Sequence, residues 1–367
     1  MKGIRRQMMS GTLPSDCFYC ISSNKTETYK ESLKNRYYGQ FETIEKSTSD
    51  DGTSTAPLVF LDYRSHGCNL KCKTCGPDSS SAWLKQAMTQ NSKWEDIAPM
   101  DILKQVEFSV KNSPYASEFL EVVKNNPIEV IYFAGGEPLI SKAHDEVLDE
   151  LIHSKRGQKM TLNYNTNLTV PLKTVETWFE KLLNFSEVHL YCSIDGTEEV
   201  TQYVRTGMKF KVFEKNLKFL KQNVSRHPSL HIYVDATITS LFLLDLKAFS
   251  QMALDWKTPV VSKLMIGVTH RGAFLRCEAL PKKLREKLVS EWMDYFNSLK
   301  PEEQALLENL KNTLTLARSA EEFPQDVMKE ARRQARINDQ AFEEKKPFGE
   351  LLKHNKEASK WWASLID

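Results

Sequence analysis

The sequence predicts an α/β protein built on a parallel sheet. Three observations point there. Short runs rich in Val, Ile, Leu, Phe and Tyr recur from residue 58 onward, helical periodicity fills the gaps between them, and the strand signal stops after about Cys277. Strands separated by helices need crossover connections, which pair them in parallel. Six strands are too few for a closed eight-stranded barrel, so an open sheet or a partial barrel is expected.

The expected elements follow in order. Residues 44–57 are rich in Ser, Thr, Asp and Gly and read as an exposed linker. Strands are predicted over 58–64, 129–134, 160–165, 188–194, 230–238 and 264–268. The gap from residue 78 to 128 is long for one crossover and is expected to hold more than one helix, around 80–87 and 117–124. Pro171 suits the first turn of a helix running to about Asn184. Val212, Phe213, Leu217 and Leu220 recur at three- and four-residue intervals, as one face of a helix over 212–223 requires. Residues 281–367 are charged and helical in pattern, with Pro301, Pro324 and Pro347 as breaks. The expected organisation is an extension over 1–55, an α/β domain over 56–278 and a helical region over 279–367.

The chain has 367 residues, with 50 Lys+Arg against 48 Asp+Glu. That near balance gives no overall drive toward nucleic acid or anionic membranes. No run approaches the roughly 20 apolar residues of a membrane helix, and no apolar run follows Lys2, Arg5 and Arg6. A cytoplasmic protein is expected. The seven cysteines are Cys17, Cys20, Cys68, Cys72, Cys75, Cys192 and Cys277. An odd count with five in two tight groups argues for metal or redox chemistry over a disulfide framework.

Cys68-x3-Cys72-x2-Cys75 directly follows the first predicted strand. Three thiolates this close can wrap one polynuclear site, and thiolates are the ligands of iron–sulfur clusters. The motif leaves a fourth iron without a protein ligand, as a catalytic metal site does. The alternatives are structural zinc or inert thiols, but zinc sites use Cys-x2-Cys pairs two at a time.

The segment HGCNLKCKTCGP, residues 66–77, resembles the cluster loop of the radical S-adenosylmethionine (SAM) enzymes. The resemblance spans about residues 58–275 and implies a partial (β/α)6 TIM-like barrel. It implies a [4Fe–4S] cluster on Cys68, Cys72 and Cys75, whose unique iron is chelated by SAM. Reductive cleavage of SAM then yields a 5′-deoxyadenosyl radical for hydrogen abstraction. Thr74 stands where the family often has an aromatic residue or methionine.

Further segments fit that resemblance. Phe133-Ala-Gly-Gly-Glu-Pro138 ends the second predicted strand. Gly135 and Gly136 allow close backbone approach, and Glu137 offers a carboxylate suited to an ammonium group. Read on the residues alone, the segment is a strand-to-helix turn; the resemblance implies contact with the SAM amino group. Asn165-Thr-Asn167 and Ser193-Ile-Asp-Gly196 end the third and fourth strands, where such sheets build sites. The resemblance implies that Asn167 and Ser193 neighbour the cofactor and that Arg205 pairs with the SAM carboxylate. Asp195 reads as a turn residue, and Cys192 as a core thiol.

Cys17-x2-Cys20 suits zinc, an iron–sulfur cluster or a redox dithiol, and Cys277 is a candidate third ligand for a second metal site. The amino-terminal segment resembles that of the twitch-type, auxiliary-cluster radical SAM proteins, a group that includes phage-encoded members. It implies a peptide or protein substrate and an electron donor such as flavodoxin or ferredoxin. Two other readings stay open: modification of a nucleotide or nucleic acid, and a non-enzymatic iron–sulfur regulator or assembly protein. His66 and His270 read as bystanders, and Trp361-Trp362 as a packing anchor or docking point.

Overall fold

A computed structural model describes residues 6, 7, 10, 46–55, 60–111, 115–265 and 272–365. The chain divides into two units, Met1–Val59 and Phe60–Asp367. In the first unit the polar segment closes on itself. Thr48 and Ser54 form an antiparallel bridge, and the Asp51 carboxylate accepts hydrogen bonds from the Thr53 amide and the Ser49 and Thr53 hydroxyls. This part of the expected linker is therefore a small turn held by Asp and hydroxyl side chains. Cys17 and Cys20 lie outside the described residues.

The second unit carries one six-stranded sheet: β1 (Phe60–Arg64), β2 (Val130–Ala134), β3 (Thr161–Thr166), β4 (Glu187–Ser193), β5 (Leu230–Ile238) and β6 (Val260–Leu264). The strands follow one another in chain order, all parallel. Among the described residues β1 and β6 do not pair, so the barrel is partial. Side chains alternate across the sheet. Ile131, Phe133, Leu162, Tyr164, Val188, Leu190 and Val234 are buried under the surrounding helices. Tyr132, Asn163, Asn165, His189, Tyr191 and Tyr233 point to the inner face and stay half-buried.

Five predicted strands match within two residues where they are described. The sixth is a correction: it spans Val260–Leu264, ahead of the expected 264–268, and residues 266–271 lie outside the described set. Ser262 and Lys263 interrupt the apolar run and hid it. Tertiary contacts supply what local pattern lacks, since the Ser262 amide donates to Asn309 Oδ1 at 2.7 Å and its hydroxyl contacts Thr313 Oγ1 at 2.9 Å.

The long gap after β1 holds helices Ser81–Thr89, Asn91–Trp94, Met100–Lys111 and Tyr115–Asn125. The prolines of the tail open helices as expected: Pro301 begins Pro301–Ser319, while Pro324 and Pro347 directly precede Gln325–Ala341 and Phe348–Leu351. The tail shares one apolar core with the barrel, through residues such as Val289, Trp292, Leu310 and Leu314. A second core joins Trp83 and Trp94 to Phe342, with ring centroids 4.4 Å apart for the tryptophans and 4.7 Å for Trp94 and Phe342. Trp362 packs on Phe348 at 4.7 Å, as an anchor for the last helix. No helix among the described residues is long and apolar enough to cross a membrane.

Arg285 is fully buried and donates to the carbonyls of Ala317 and Ala320 at 2.9 and 2.6 Å, closing the end of Pro301–Ser319. Arg285→Leu would leave those carbonyls unsatisfied. The expected loss is about 1–3 kcal/mol, read as a lower urea midpoint with an unchanged denaturant slope.

Candidate metal centre

The cysteine loop leaves the carboxyl end of β1 and returns into helix Ser81–Thr89. Its shape is set by hydrogen bonds at both ends. His66 Nε2 donates to the Pro77 carbonyl at 2.7 Å, drawing the ends of the motif together. The Cys68 amide donates to Ser81 Oγ at 3.0 Å, and Ser80 Oγ donates to the Leu70 carbonyl at 2.6 Å. Ser80 also caps the helix by accepting from the Trp83 amide. The Leu70 amide donates to Cys68 Sγ at 3.4 Å, and Asn167 Nδ2 lies 3.9 Å from the same sulfur. Such N–H to sulfur contacts hold and tune iron–sulfur ligands.

Lys73, between Cys72 and Cys75, is the residue that sequence reasoning passed over. Its side chain is fully buried. The ammonium donates to the Tyr203 carbonyl at 2.8 Å, to Thr206 Oγ1 at 2.7 Å and to the Glu344 carboxylate. It also sits over the rings of Tyr203 and Phe342, 4.1 and 4.4 Å from their centroids. Burial draws its pKa down to about 8, against the pull of Glu344.

Arg205 approaches from the crossover after β4. Its Nε lies 2.8 Å from Asp195 Oδ2, and Asp195 is fixed in turn by the Thr237 amide at 2.8 Å. Asp195 is thus an ion-pair partner of Arg205, a role beyond the turn position expected for it. The guanidinium's charge favours the thiolate forms of Cys72 and Cys75. Cys75 is lowered to about 7, first by its hydrogen bond with Cys72 and then by Arg205, against burial. Burial, with Glu137 and Cys75 adding to it, pushes Cys68 up to about 11 against its hydrogen bond from the Leu70 amide, so ligation there must displace a proton.

The glycines of the second strand's end dock the two loops. Gly135 and Gly136 have φ of +65° and +51°, which favours glycine. A Cβ on Gly136 would lie 2.3 Å from the Gly67 carbonyl oxygen and 2.7 Å from that of Ser65. The Glu137 amide donates to Gly67 O at 2.6 Å. The Glu137 carboxylate differs from expectation. It is fully buried and accepts from Thr166 Oγ1 at 2.8 Å, the Leu139 amide at 3.1 Å and the Asn167 amide at 2.7 Å. It braces β2 against β3 instead of lying open to an ammonium group, because three donors from the strand ends converge on it.

Asn167, expected beside the cofactor, lies against the cysteine loop, with Nδ2 also donating to Asn69 Oδ1 at 2.9 Å. Ser193 ends β4 beside its register partner Asp235. Cys192 is a buried core thiol. Cys277 is buried too, its thiol donating to the Ile238 carbonyl at 3.6 Å, with burial raising it to about 12. Its proposed partners Cys17 and Cys20, and His270, lie outside the described residues.

The donor set fits a cluster better than a single ion. Among the described residues, the one set of three ligand atoms within 4.8 Å of one another is Glu187, His189 and His231. The three sulfurs of the loop therefore do not converge as a mononuclear zinc site requires. A polynuclear cluster spans a wider gap between thiolates and suits an all-sulfur set.

Burial raises the Glu137 carboxyl from 4.5 to about 7, against the hydrogen bonds from Asn167, Thr166 and Leu139. A folded-state value above the unfolded one favours the protonated form in the fold. Its contribution to stability is present below pH 4.5 and lost as the pH rises through about 7. Urea unfolding of wild type and Glu137→Gln across this range is expected to show the difference moving against wild type inside the window and flat beyond it. A pH-independent difference would show that the carboxyl titrates normally.

Residues 63–235 match the family model described as the Radical SAM superfamily. Similar solved structures include native anSMEcpe with bound AdoMet, at 18% identity and a TM-score of 0.42, with 65% of this chain and 60% of that chain covered. Streptococcus suis SuiB shows 16% identity and a TM-score of 0.40, with 73% and 52% covered. The alignments thus span about 60% or less of those two chains. No curated protein matches the sequence. The family match runs from β1 into β5 and so takes in the cysteine loop, Glu137, Asn167, Ser193 and Arg205 together: residues 63–235, a little under half of the chain, are similar to the Radical SAM superfamily.

Proposed function

We propose that Cys68, Cys72 and Cys75 hold a [4Fe–4S] cluster at which SAM is bound and reductively cleaved, and that the chain modifies a peptide or protein. The observation that carries the first part is the cysteine loop itself. Its three sulfurs do not all lie within 4.8 Å of one another, amide groups contact Cys68, and the Arg205 charge favours thiolate at Cys72 and Cys75. When bound, the cluster and SAM supply a 5′-deoxyadenosyl radical for hydrogen abstraction.

The chain's own residues orient and enclose. Gly135 and Gly136 let the backbone of the second loop lie against the first, and Glu137 fixes both to β3. Arg205, braced by Asp195, offers a guanidinium edge to an anionic cofactor group. Asn167 and Ser193 stand at the carboxyl ends of β3 and β4, on the rim where such a cofactor would lie. An electron donor of the flavodoxin or ferredoxin class would supply the reducing equivalent, and Cys17, Cys20 and Cys277 remain the proposed ligands of a second cluster or zinc.

The inner face of the sheet supports a peptide over a nucleic acid. Its cations are already matched: Lys263 pairs with Asp235 at 2.6 Å and Arg64 with Asp62 at 3.0 Å. Tyr132 donates to Asn165 at 2.9 Å, Asn165 contacts Asp235 at 3.3 Å, and Tyr191 stacks on Tyr233 at 5.1 Å. A neutral, hydrogen-bonding aromatic surface suits amides and side chains. A phosphate backbone calls for surplus positive charge.

The test is iron and sulfide per chain after anaerobic reconstitution. Wild type is compared with a Cys68→Ala, Cys72→Ala, Cys75→Ala triple variant. Wild type is expected to hold about four irons more than the variant. Equal iron in the two would overturn the assignment of the triplet.

A further inference from the structure

A second ligand set lies at the opposite end of the sheet, unused by the cysteine centre. Glu187 and His189 stand two residues apart on β4, so their side chains project from one face. His231 on β5 is the register partner of His189. Their rings stack with centroids 4.7 Å apart and planes 19° apart. Glu187 Oε1 lies 3.2 Å from His189 Nε2 and 3.8 Å from His231 Nε2. The three side chains are 42%, 21% and 43% exposed, open enough for an ion to enter. The other Glu187 oxygen is fixed from β3, where Thr161 Oγ1 donates to Oε2 at 3.1 Å.

We propose that Glu187, His189 and His231 bind one divalent transition-metal cation of the zinc class. Bonds of about 2.0–2.2 Å at tetrahedral angles place neighbouring ligand atoms about 3.3 Å apart. The observed 3.2 Å edge meets that value, while the 3.8 Å edge and the stacked rings require the partly exposed His231 imidazole to turn, so that the in-plane lone pairs of both rings face one ion. Two imidazoles and a carboxylate are a donor set suited to zinc and its neighbours and unsuited to iron–sulfur assembly. Three protein ligands leave a fourth position for water or a substrate group. Thr161 holds the carboxylate by its far oxygen, which is how outer hydrogen bonds orient metal ligands. At about 3.3 Å per residue, the length of β4 separates this site from the cysteine loop by roughly 20 Å, so it is distinct from the cluster. The same contacts would serve an ion pair between the carboxylate and protonated imidazoles, and the experiment separates the two.

Full-length, cluster-loaded protein is equilibrated with Zn²⁺, freed of excess ion and analysed for zinc, iron and sulfide. Wild type is compared with His189→Ala, His231→Ala and Thr161→Val. Wild type is expected to retain about one zinc more per chain than either histidine variant, and Thr161→Val to bind zinc about tenfold more weakly. Co²⁺ in place of Zn²⁺ should give wild type ligand-field bands, absent from both histidine variants, without added thiolate-to-cobalt charge transfer. His231 is the more exposed histidine, so its variant keeps the test valid if His189→Ala fails to fold. Equal zinc and identical cobalt spectra in wild type and a folded histidine variant would overturn the proposal and leave an ion pair. The iron and sulfide counts in the same samples read the cysteine loop separately.

Discussion

The buried ammonium of Lys73 is the constraint on which the shape of the cysteine loop depends. A charge with no solvent exposure costs several kcal/mol unless it is fully matched. Lys73 is matched by a carboxylate, a carbonyl, a hydroxyl and two aromatic faces. None of these partners is local. Tyr203 and Thr206 come from the crossover after β4, while Phe342 and Glu344 follow helix Gln325–Ala341. The loop can take its form only when the crossover and the tail are both in place. This gives the carboxyl-terminal helices a role beyond filling the core: they close the charge balance of a residue lying between two cysteines.

Two further buried titratable groups complete the frame. Arg205 is held by Asp195 on one side of the loop, and Glu137 is held by three donors on the other. Their effects on the sulfurs oppose one another. Arg205 favours thiolate at Cys72 and Cys75, while Glu137 adds to the burial that keeps Cys68 protonated. Metal binding at such a loop is coupled to proton release. The backbone approach at Gly136 links these parts, because only a residue without a Cβ lets the second loop meet Gly67 and Ser65.

Much of this was legible in the residues. Parallel β/α alternation, the cysteine spacing and the double glycine are local patterns, and five of the six strands follow them. β6 was not legible, because Ser262 and Lys263 break its apolar run and its partners lie on a helix about fifty positions later. The Lys73–Glu344 pair spans 271 positions, and no local pattern couples them. Glu137 was legible as a functional carboxylate but not as a buried brace, since that depends on where the end of β3 places Thr166 and Asn167. Asp195 beside Gly196 read as a turn for the same reason. Its partner Arg205 is ten residues on, and only the fold brings the two together.

The central claim is that this loop holds a cluster with one iron left open to a ligand. Electron paramagnetic resonance of the reduced, reconstituted protein, recorded before and after adding SAM, tests it directly. The account predicts the signal of a reduced [4Fe–4S] cluster whose g values shift on SAM addition, with the shift abolished when the three cysteines are replaced. A cluster signal indifferent to SAM, or one that survives the loss of Cys68, Cys72 and Cys75 unchanged, would contradict it.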